Sequence, residues 1–220
     1  SLSPLDAKKV SEASVLVING VGLEAWLDKV FGSADMHMTV NRKLIIVDTS
    51  KGVEIMHKDP HIWLSPRNAV TQVLNIRDAL ITANPGNREV YTANAGAYLV
   101  RLNNLDREIS DEIKTWSKKE FVAFHSAFGY FGRDYGLWQA AVVQKNPETE
   151  PSPRHIASVI KTIKSKGIKS IFTETQASHK IITSLATDLG LKVYSLDTLE
   201  KGSPAREWYE ERMRANLAVL

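Results

Sequence analysis

The sequence contains no cysteine and no long apolar run. The absence of cysteine among 220 residues excludes disulfides, thiolate metal sites and cysteine nucleophiles. A metal ion bound by this chain would need nitrogen and oxygen ligands. No apolar segment approaches the roughly 20 residues of a membrane span, and the first residues, SLSPLDAKK, lack the charged and then apolar pattern of a signal peptide. We therefore expect the chain as given to be soluble.

Charge of one sign is also scarce. The 28 lysine and arginine residues against 25 aspartate and glutamate residues give a net charge of +3, and they are spread along the whole chain. Because no basic block is present, we do not expect nucleic acid as a partner. The hydrophobic fraction of 43% excludes disorder and allows one large domain or two small lobes.

Short apolar segments alternate with segments of helical period. Each predicted strand is rich in β-branched or aromatic residues, and most are followed by a predicted helix. This alternation is typical of α/β units with parallel sheets. The predicted strands are 15–19, 43–48, 121–125, 137–143, 170–174 and 192–197.

One long helical pattern separates the two groups of strands. It covers residues 87–116 and would reach roughly 45 Å, more than one small lobe needs. Two ordinary helices with a break near Gly96, or near Asn103 and Asn104, are the alternative. The apolar positions that share one helical face are Tyr98, Leu102, Leu105, Ile109, Ile113 and Trp116.

The segment SVLVINGVGLEAW satisfies the G-x-G-x-x-G/A spacing of a dinucleotide-binding turn through Gly20, Gly22 and Ala25. That fingerprint requires a carboxylate about 20 residues further on, whereas Asp48 lies 28 residues after Gly20. We therefore interpret the glycines as residues of a tight strand-to-helix turn. Trp26 and Leu27 are predicted to pack the following helix onto the sheet.

Three predicted strands of the C-terminal half end in side chains capable of binding a metal ion. His125 closes FVAFH, Glu174 closes SIFTE and Asp197 closes KVYSLD. In open parallel sheets, ligands bind outside the carboxyl ends of the strands, so these side chains are predicted to meet in one crevice. For each residue taken alone, a helix N-cap or a buried hydrogen-bonding role is the alternative.

A fourth candidate lies in the segment KDPHIWLSPRNA, residues 58–69. Pro60 and Pro66 bracket irregular chain, and Ser65 is predicted to cap the helix that begins at Pro66. His61 is thereby held on a stiff loop, which suits a metal ligand whose orientation must be fixed. A half-buried packing histidine is the alternative.

Several motifs occur together and in order: DPHIWLSPRNA, AFHSAFGYFGRDYGL, EPSPRHI, IFTETQAS and VYSLDTL. In this arrangement the chain resembles the zinc and manganese solute-binding proteins of metal ABC importers (cluster A-I). The resemblance covers essentially the whole chain. It implies two α/β lobes with parallel sheets, joined by one long rigid helix, with the metal ion clamped between them. The corresponding ranges are 1–86 for the N-terminal lobe, 87–117 for the linking helix and 118–220 for the C-terminal lobe.

The resemblance also implies the metal ligands, which are His61, His125 and Asp197. The family supplies another histidine upstream of the segment that SLSPLDAKK continues. By this comparison the chain is N-terminally truncated and its first lobe is incomplete. Water, Glu174 or another histidine would fill the fourth position. Four positions depart from the family pattern outside the ligand set, namely Ser65, Ser126, Thr175 and Thr198.

A ligand set rich in nitrogen favours Zn²⁺ over Mn²⁺, although a manganese-binding member of the same family is the alternative. By resemblance, the protein is an extracytoplasmic monomer, either periplasmic or lipid-anchored. It would capture zinc in the cleft between the lobes and deliver the ion to an ABC permease in the membrane. The remaining histidines are predicted to be solvated surface residues: His37, His57, His155 and His179.

Two other classes compete with transport. Two histidines and a carboxylate with a vacant fourth position also suit a zinc hydrolase, in which Glu174 would act as general base. Neither an H-E-x-x-H helix nor a nucleophile elbow is present in the sequence, so no catalytic residue is predicted and the protein is not expected to be an enzyme. A purely adhesive module is the third possibility.

Overall fold

A computed structural model describes residues 3–27, 44–144, 149–174, 180–202 and 205–220. The chain divides into two compact units, Ser1–Asn104 and Leu105–Leu220, called unit 1 and unit 2 below. In the described residues, no helix combines the length and the apolar character needed to cross a membrane.

Unit 1 contains a parallel pair of strands. The strands are β1 (Val15–Ile18) and β2 (Ile45–Asp48). In their register, Val15 lies opposite Ile45 and Ile18 lies opposite Asp48. Helix α1 (Pro4–Glu12) precedes β1, and helix α2 (Pro66–Ala83) packs against both strands. Short 3₁₀ turns occupy Ile62–Leu64 and Pro85–Asn87.

Helix α1 begins with a capping box between Ser3 and Asp6. The Ser3 hydroxyl donates to Asp6 Oδ2 at 2.7 Å, and the Asp6 N–H donates to Ser3 Oγ at 3.2 Å. The hydroxyl bond, followed by the bond from the Ser3 N–H, lowers the pKa of the exposed Asp6 carboxyl. Because folding lowers this pKa, the cap stabilises the helix above the usual carboxyl pKa. The stabilisation is lost as the pH falls through the lowered value.

Helix α2 begins as the sequence predicts. Ser65 is its N-cap and accepts a hydrogen bond from the Asn68 N–H at 3.3 Å, while Pro66 occupies the first turn. Proline suits this position because the first N–H groups of a helix have no partner within it.

Helix α3 (Arg88–Lys114) is continuous over 27 residues, which corresponds to about 40 Å. The alternative of a break near Gly96, or near Asn103 and Asn104, is therefore wrong. The predicted apolar face explains the continuity, because burial of one face outweighs the weak helix propensity of single glycine and asparagine residues. Its fully buried members are Leu102, Leu105, Ile109 and Ile113.

Unit 2 contains a four-stranded parallel sheet in the order β4-β3-β5-β6. The strands are β3 (Glu120–Ala123), β4 (Trp138–Val142), β5 (Ser170–Glu174) and β6 (Lys192–Leu196). The helices are α4 (Gly129–Tyr135), α5 (Pro153–Lys166), α6 (Lys180–Leu189) and α7 (Trp208–Val219).

The core of unit 2 lies between the sheet and helices α5 and α6. Its buried members are Val122, Phe124, Val143, Val159, Ile163, Ile171, Ile182 and Leu185. All six predicted strands are present, with ends within two residues of the predicted ones. The prediction of an α/β chain with parallel sheets and a long helix is confirmed.

Candidate functional site

The loop that carries His61 is fixed to the carboxyl ends of both strands of unit 1. Asn19, directly after β1, donates from Nδ2 to the Pro60 carbonyl at 2.9 Å. Gln72 of helix α2 donates from Nε2 to Asn19 Oδ1 at 3.2 Å and to Thr49 Oγ1 at 2.9 Å. These hydrogen bonds set the position of the loop before any ion binds.

The imidazole of His61 contacts a carboxylate through Nδ1. Its Nδ1 lies 2.6 Å from Asp59 Oδ1, and the backbone N–H of His61 donates to the same oxygen at 3.0 Å. When Asp59 is ionised and the ring is neutral, Nδ1 carries the proton and Nε2 the lone pair, because an ionised carboxylate only accepts. Histidines that bind metal ions almost always donate their other N–H in this way.

The packing of the ring also restricts His61. Its side chain is only 11% exposed, and its ring centroid lies 5.3 Å from that of Trp63. Asp59 was not predicted from the sequence to be a site residue. Its position two residues before the candidate ligand His61 could have indicated it. Asp59 and Trp63 together hold the imidazole in one orientation.

In unit 2, the predicted site residues follow three neighbouring strands. The backbone of Ala123 lies opposite Phe172, and Glu174 lies opposite Leu196. Because β3, β5 and β6 are adjacent and parallel, the backbone positions of His125, Glu174 and Asp197 lie at the same edge of the sheet.

His125 is half-buried in the turn after β3. Gln139 of β4 donates from Nε2 to the His125 carbonyl at 3.3 Å and accepts from Ser126 Oγ at 3.2 Å. Ser126 departs from the family's usual aspartate, and here it shares the amide that holds the backbone of the candidate ligand. The signal for Gln139 was not local, since it lies on a different strand.

Asn216 of helix α7 makes two hydrogen bonds with the backbone of Asp197. The Asn216 residue is only 3% exposed. The Asp197 N–H donates to Asn216 Oδ1 at 2.8 Å, and Asn216 Nδ2 donates to the Asp197 carbonyl at 2.7 Å. In the side chain, Oδ1 accepts from the Leu199 N–H at 2.9 Å, and Oδ2 lies 3.6 Å from Arg212 Nη1. The Asp197 carboxylate therefore already has structural partners, as the hydrogen-bonding alternative predicts.

Glu200 is a second carboxylate on the loop that follows β6. Its side chain is exposed, and it lies three residues after Asp197. Glu200 was not among the residues predicted from the sequence, because it does not end a strand. Any test of Asp197 as a metal ligand needs Glu200 as its counterpart.

Among the residues that the structure describes, the buried Oε1 of Glu174 has no hydrogen-bond partner, and neither has Oγ1 of the adjacent Thr173. Burial of an unpaired carboxylate oxygen is costly unless a proton or a cation compensates. This carboxyl end of the sheet in unit 2 is therefore chemically suited to a cation.

Across the ranges described above, no three histidine, aspartate and glutamate side chains form a group that could hold a metal ion. His61 belongs to unit 1, whereas His125 and Asp197 belong to unit 2. The set of three ligands stays a prediction.

The glycine-rich turn of unit 1 has its own carboxylates. Glu24 accepts from the N–H groups of Asn19 at 2.8 Å and Gly20 at 3.1 Å. A phosphate at this turn would need those donors, so their use by Glu24 argues against a dinucleotide. A Cβ at Gly20, whose φ is +86°, would overlap Asp48 Oδ1.

The packing predicted for Trp26 and Leu27 holds for one residue of the two. Leu27 is buried, but Trp26 is 45% exposed, so its prediction is wrong. Successive residues of a helical turn point about 100° apart, which prevents both side chains from facing the sheet.

The other histidines differ from one another. His57 is exposed as predicted. The prediction for His155 is wrong, because this residue is half-buried and its Nε2 lies 2.8 Å from the Val142 carbonyl. The first turn of α5 packs on β4, which brings the ring to the sheet. His37, His179 and Thr175 lie outside the described residues.

Comparison with known proteins decides the family. Residues 1–220 match the family described as ZnuA, zinc-uptake complex component A, periplasmic. The chain belongs to this family. The resemblance drawn from the DPHIWLSPRNA, AFHSAFGYFGRDYGL and VYSLDTL motifs is thereby confirmed.

Curated ZnuA-family relatives show the same extent of similarity. The chain is 34% identical over 249 residues to the zinc-binding protein AdcA of Streptococcus pyogenes, which covers 99% of this chain and 48% of AdcA. It is 31% identical over 241 residues to the high-affinity zinc uptake system protein ZnuA of Bacillus subtilis. That match covers 99% of this chain and 74% of ZnuA. The chain thus spans about half the length of AdcA.

Among solved structures, the laminin-binding protein Lmb of Streptococcus agalactiae has a TM-score of 0.87 at 30% identity. The match covers 100% of this chain and 83% of Lmb, which is described as bifunctional, with adhesin and metal transporting activity. This likeness agrees with the observed α/β fold with parallel sheets and a long helix.

Proposed function

We propose that this chain is the zinc-binding component of an ABC importer, acting outside the cytoplasm. The observation that carries the proposal is the hydrogen bond between Asp59 and the His61 imidazole at 2.6 Å. It leaves the lone pair on Nε2, as a metal ligand requires. Membership of the ZnuA family and the zinc-binding names of AdcA and ZnuA support zinc as the cargo.

The proposed ligands are the imidazoles of His61 and His125 and the carboxylate of Asp197. Two nitrogen donors and one oxygen donor match the borderline character of Zn²⁺, which binds such ligands at about 2.0–2.2 Å and prefers four of them. Water, Glu174 or another histidine completes the set. Mn²⁺ is the alternative cargo and is disfavoured because it prefers oxygen ligands and lies lower in the divalent affinity order.

Capture is followed by delivery in this proposal. The loaded monomer, periplasmic or lipid-anchored, docks on a membrane permease and releases the ion there. The role of the protein is then to bind the free cation selectively and to present it, which requires ligands that are oriented in advance. The hydrogen bonds of Asp59, Gln139 and Asn216 supply that orientation.

A zinc hydrolase is the second candidate. The observation that favours it is the buried Oε1 of Glu174, which has no hydrogen-bond partner in the described part of the chain. In that function Glu174 would accept a proton from metal-bound water. The Glu174→Gln variant separates the two candidates. Transport predicts no ester or peptide hydrolysis by either form, whereas turnover that is lost in Glu174→Gln would establish the hydrolase.

Isothermal titration of metal-free protein with Zn²⁺ and Mn²⁺ tests the cargo. We expect one Zn²⁺ per chain, bound at least about tenfold more tightly than Mn²⁺, because the donor set is rich in nitrogen. Equal or tighter binding of Mn²⁺ would transfer the proposal to manganese. Failure of both ions to bind would contradict metal capture by this chain.

The carboxylate ligand is tested by Asp197→Asn with Glu200→Gln as its matched control. If Asp197 binds the ion, Asp197→Asn weakens zinc binding by more than about 100-fold. Loss of a residue that only hydrogen-bonds a metal ligand costs up to about 100-fold, and loss of the ligand itself should cost more. Glu200→Gln then changes the affinity by less than about threefold, as expected of an exposed carboxylate that does not bind the ion. A large loss with Glu200→Gln and a small one with Asp197→Asn would move the ligand to Glu200.

Asp59→Ala is expected to weaken zinc binding by about 10-fold to 100-fold while the protein stays folded. The variant leaves the His61 ring in place but removes the acceptor that keeps the proton on Nδ1. The ¹⁵N shifts of the ring report the tautomer, and calorimetry reports the affinity. Asp78→Ala, at a carboxylate that is 64% exposed on helix α2, is the control. Unchanged affinity and unchanged ring shifts in Asp59→Ala would remove Asp59 from the site.

A further inference from the structure

Unit 2 has a cavity of about 500 Å³ at the amino ends of its strands. The residues that line it come from the chain after α3, the start of β3, and the turn between α5 and β5. Strand β5 begins at the cavity with Ser170 and ends at Glu174, about 13 Å away at 3.3 Å per residue. The cavity is therefore separate from His125, Glu174 and Asp197, which follow the opposite ends of the strands.

Part of the cavity wall is aromatic. Phe121 and Phe172 contribute to it, and their rings meet edge to face with centroids 6.0 Å apart. Trp116 adds a third aromatic side chain, whose Nε1–H is already donated to Glu112 Oε1 at 2.9 Å. An apolar or aromatic group would contact the exposed parts of these rings on one side of the cavity.

The rest of the wall is strongly basic. It includes one carboxylate, Glu120, and four lysines, which are Lys118, Lys119, Lys166 and Lys169. The formal charge around the cavity is thus +3, the same as the net charge of the whole chain. The cavity is therefore lined by more basic than acidic side chains.

Two of the four ammonium groups have partners and two do not. Lys166 pairs with Glu120 at 2.5 Å, and Lys119 donates to the Ile113 carbonyl at the end of α3. Lys118 and Lys169 are exposed. Neither of their ammonium groups makes a hydrogen bond or an ion pair with the residues that the structure describes. Their charges are available to a ligand.

We propose that this cavity binds a small organic anion, in which an aromatic or branched apolar group carries one carboxylate or sulfonate. The apolar group lies against Phe121, Phe172 and Trp116, and the anionic group lies near Lys118 and Lys169. The volume is within the range of about 300–1,000 Å³ typical of small-molecule sites. An inorganic anion would leave most of it unfilled and would make no use of the aromatic wall.

The probe for the test is 1-anilinonaphthalene-8-sulfonate, an aromatic anion that fluoresces when it leaves water. We expect saturable binding of one probe per folded chain, weakening as salt is added because the attraction is screened. The double variant Lys118→Glu, Lys169→Glu should bind the probe about tenfold more weakly or worse, since two attractive charges become repulsive. Both of these lysine side chains are exposed, so the fold is retained.

The matched control is the double variant Lys161→Glu, Lys180→Glu. It changes the net charge by the same amount with two exposed lysines of unit 2 that do not line the cavity. We expect the control to bind the probe within about twofold of the unchanged protein, because neither of its ammonium groups lines the cavity. An equal loss in both double variants would overturn the proposal, since the probe would then sense only net charge.

Competition defines the ligand class. Indole-3-acetate should displace the probe, inorganic phosphate at the same ionic strength should not, and saturating Zn²⁺ or His125→Ala should leave probe binding unchanged. Displacement by phosphate as effective as that by indole-3-acetate would overturn the aromatic part of the proposal. Probe fluorescence that rises only together with loss of near-ultraviolet circular dichroism would overturn the site, because partly unfolded chains bind this probe without one.

Discussion

His61→Ala and His125→Ala are each expected to weaken zinc binding by more than about 100-fold, the upper range seen when only a partner of a ligand is lost. Each variant removes an imidazole that the proposal gives to the ion directly. Calorimetric titration, with a chelator as competitor where binding is tight, measures the loss. Circular dichroism of the metal-free variants shows whether the fold is retained.

The same chain provides the controls for these histidine variants. His57→Ala removes an exposed histidine of unit 1 close in sequence to His61, and His155→Ala removes a half-buried histidine of unit 2. Both should bind zinc like the unchanged protein. If His61→Ala and His125→Ala also do so, the proposed site is wrong. If only one of them loses affinity, the other histidine is not a ligand.

Gly20→Ala is expected to destabilise unit 1 by about 3–5 kcal/mol, through backbone strain and a steric clash together. Gly20 has a φ of +86°, where a side chain costs about 1–2 kcal/mol. The added Cβ would also overlap Asp48 Oδ1, which accepts hydrogen bonds from the Ser50 N–H at 2.9 Å and the Ser50 hydroxyl at 2.6 Å. Hydrogen exchange of the Val17 and Val47 amides measures the effect in the two strands.

Gly22→Ala isolates the contribution of the clash. Gly22 has nearly the same φ, +80°, but a Cβ there would meet no atom of the described residues within 4 Å. It should cost only the backbone strain, about 1–2 kcal/mol. Adding Asp48→Ala to Gly20→Ala should recover part of the difference. Equal effects of the two glycine variants would contradict the close approach of Asp48 to the turn.

Local patterns predicted much of the architecture. The Ser65 and Pro66 pair predicted the start of α2 because a cap and a first-turn proline act within one turn of the chain. The apolar spacing of α3 predicted one helix, and the buried face kept it continuous through Asn103 and Asn104. Predictions of the environment of single side chains were less successful, as Trp26 and His155 show.

Some residues of the candidate site were also predictable from the sequence, and others were not. His61 and His125 were identified from motifs, because stiff loops and strand ends are visible in the sequence. Asp59 was within reach of the same reasoning, since it lies two residues from His61. Gln139 and Asn216 were not, because their hydrogen bonds connect residues 14 and 19 positions apart in the sequence.

The sequence by itself determined the family, the parallel strands, the long helix and the candidate ligands, because these depend on periodicity, caps and ordered motifs along the chain. Only the tertiary structure decided that Nδ1 of His61 lies 2.6 Å from Asp59 Oδ1. It also decided that Asp197 already bonds Leu199 and faces Arg212, and that four lysines surround one cavity. These features depend on distances between atoms that folding brings together.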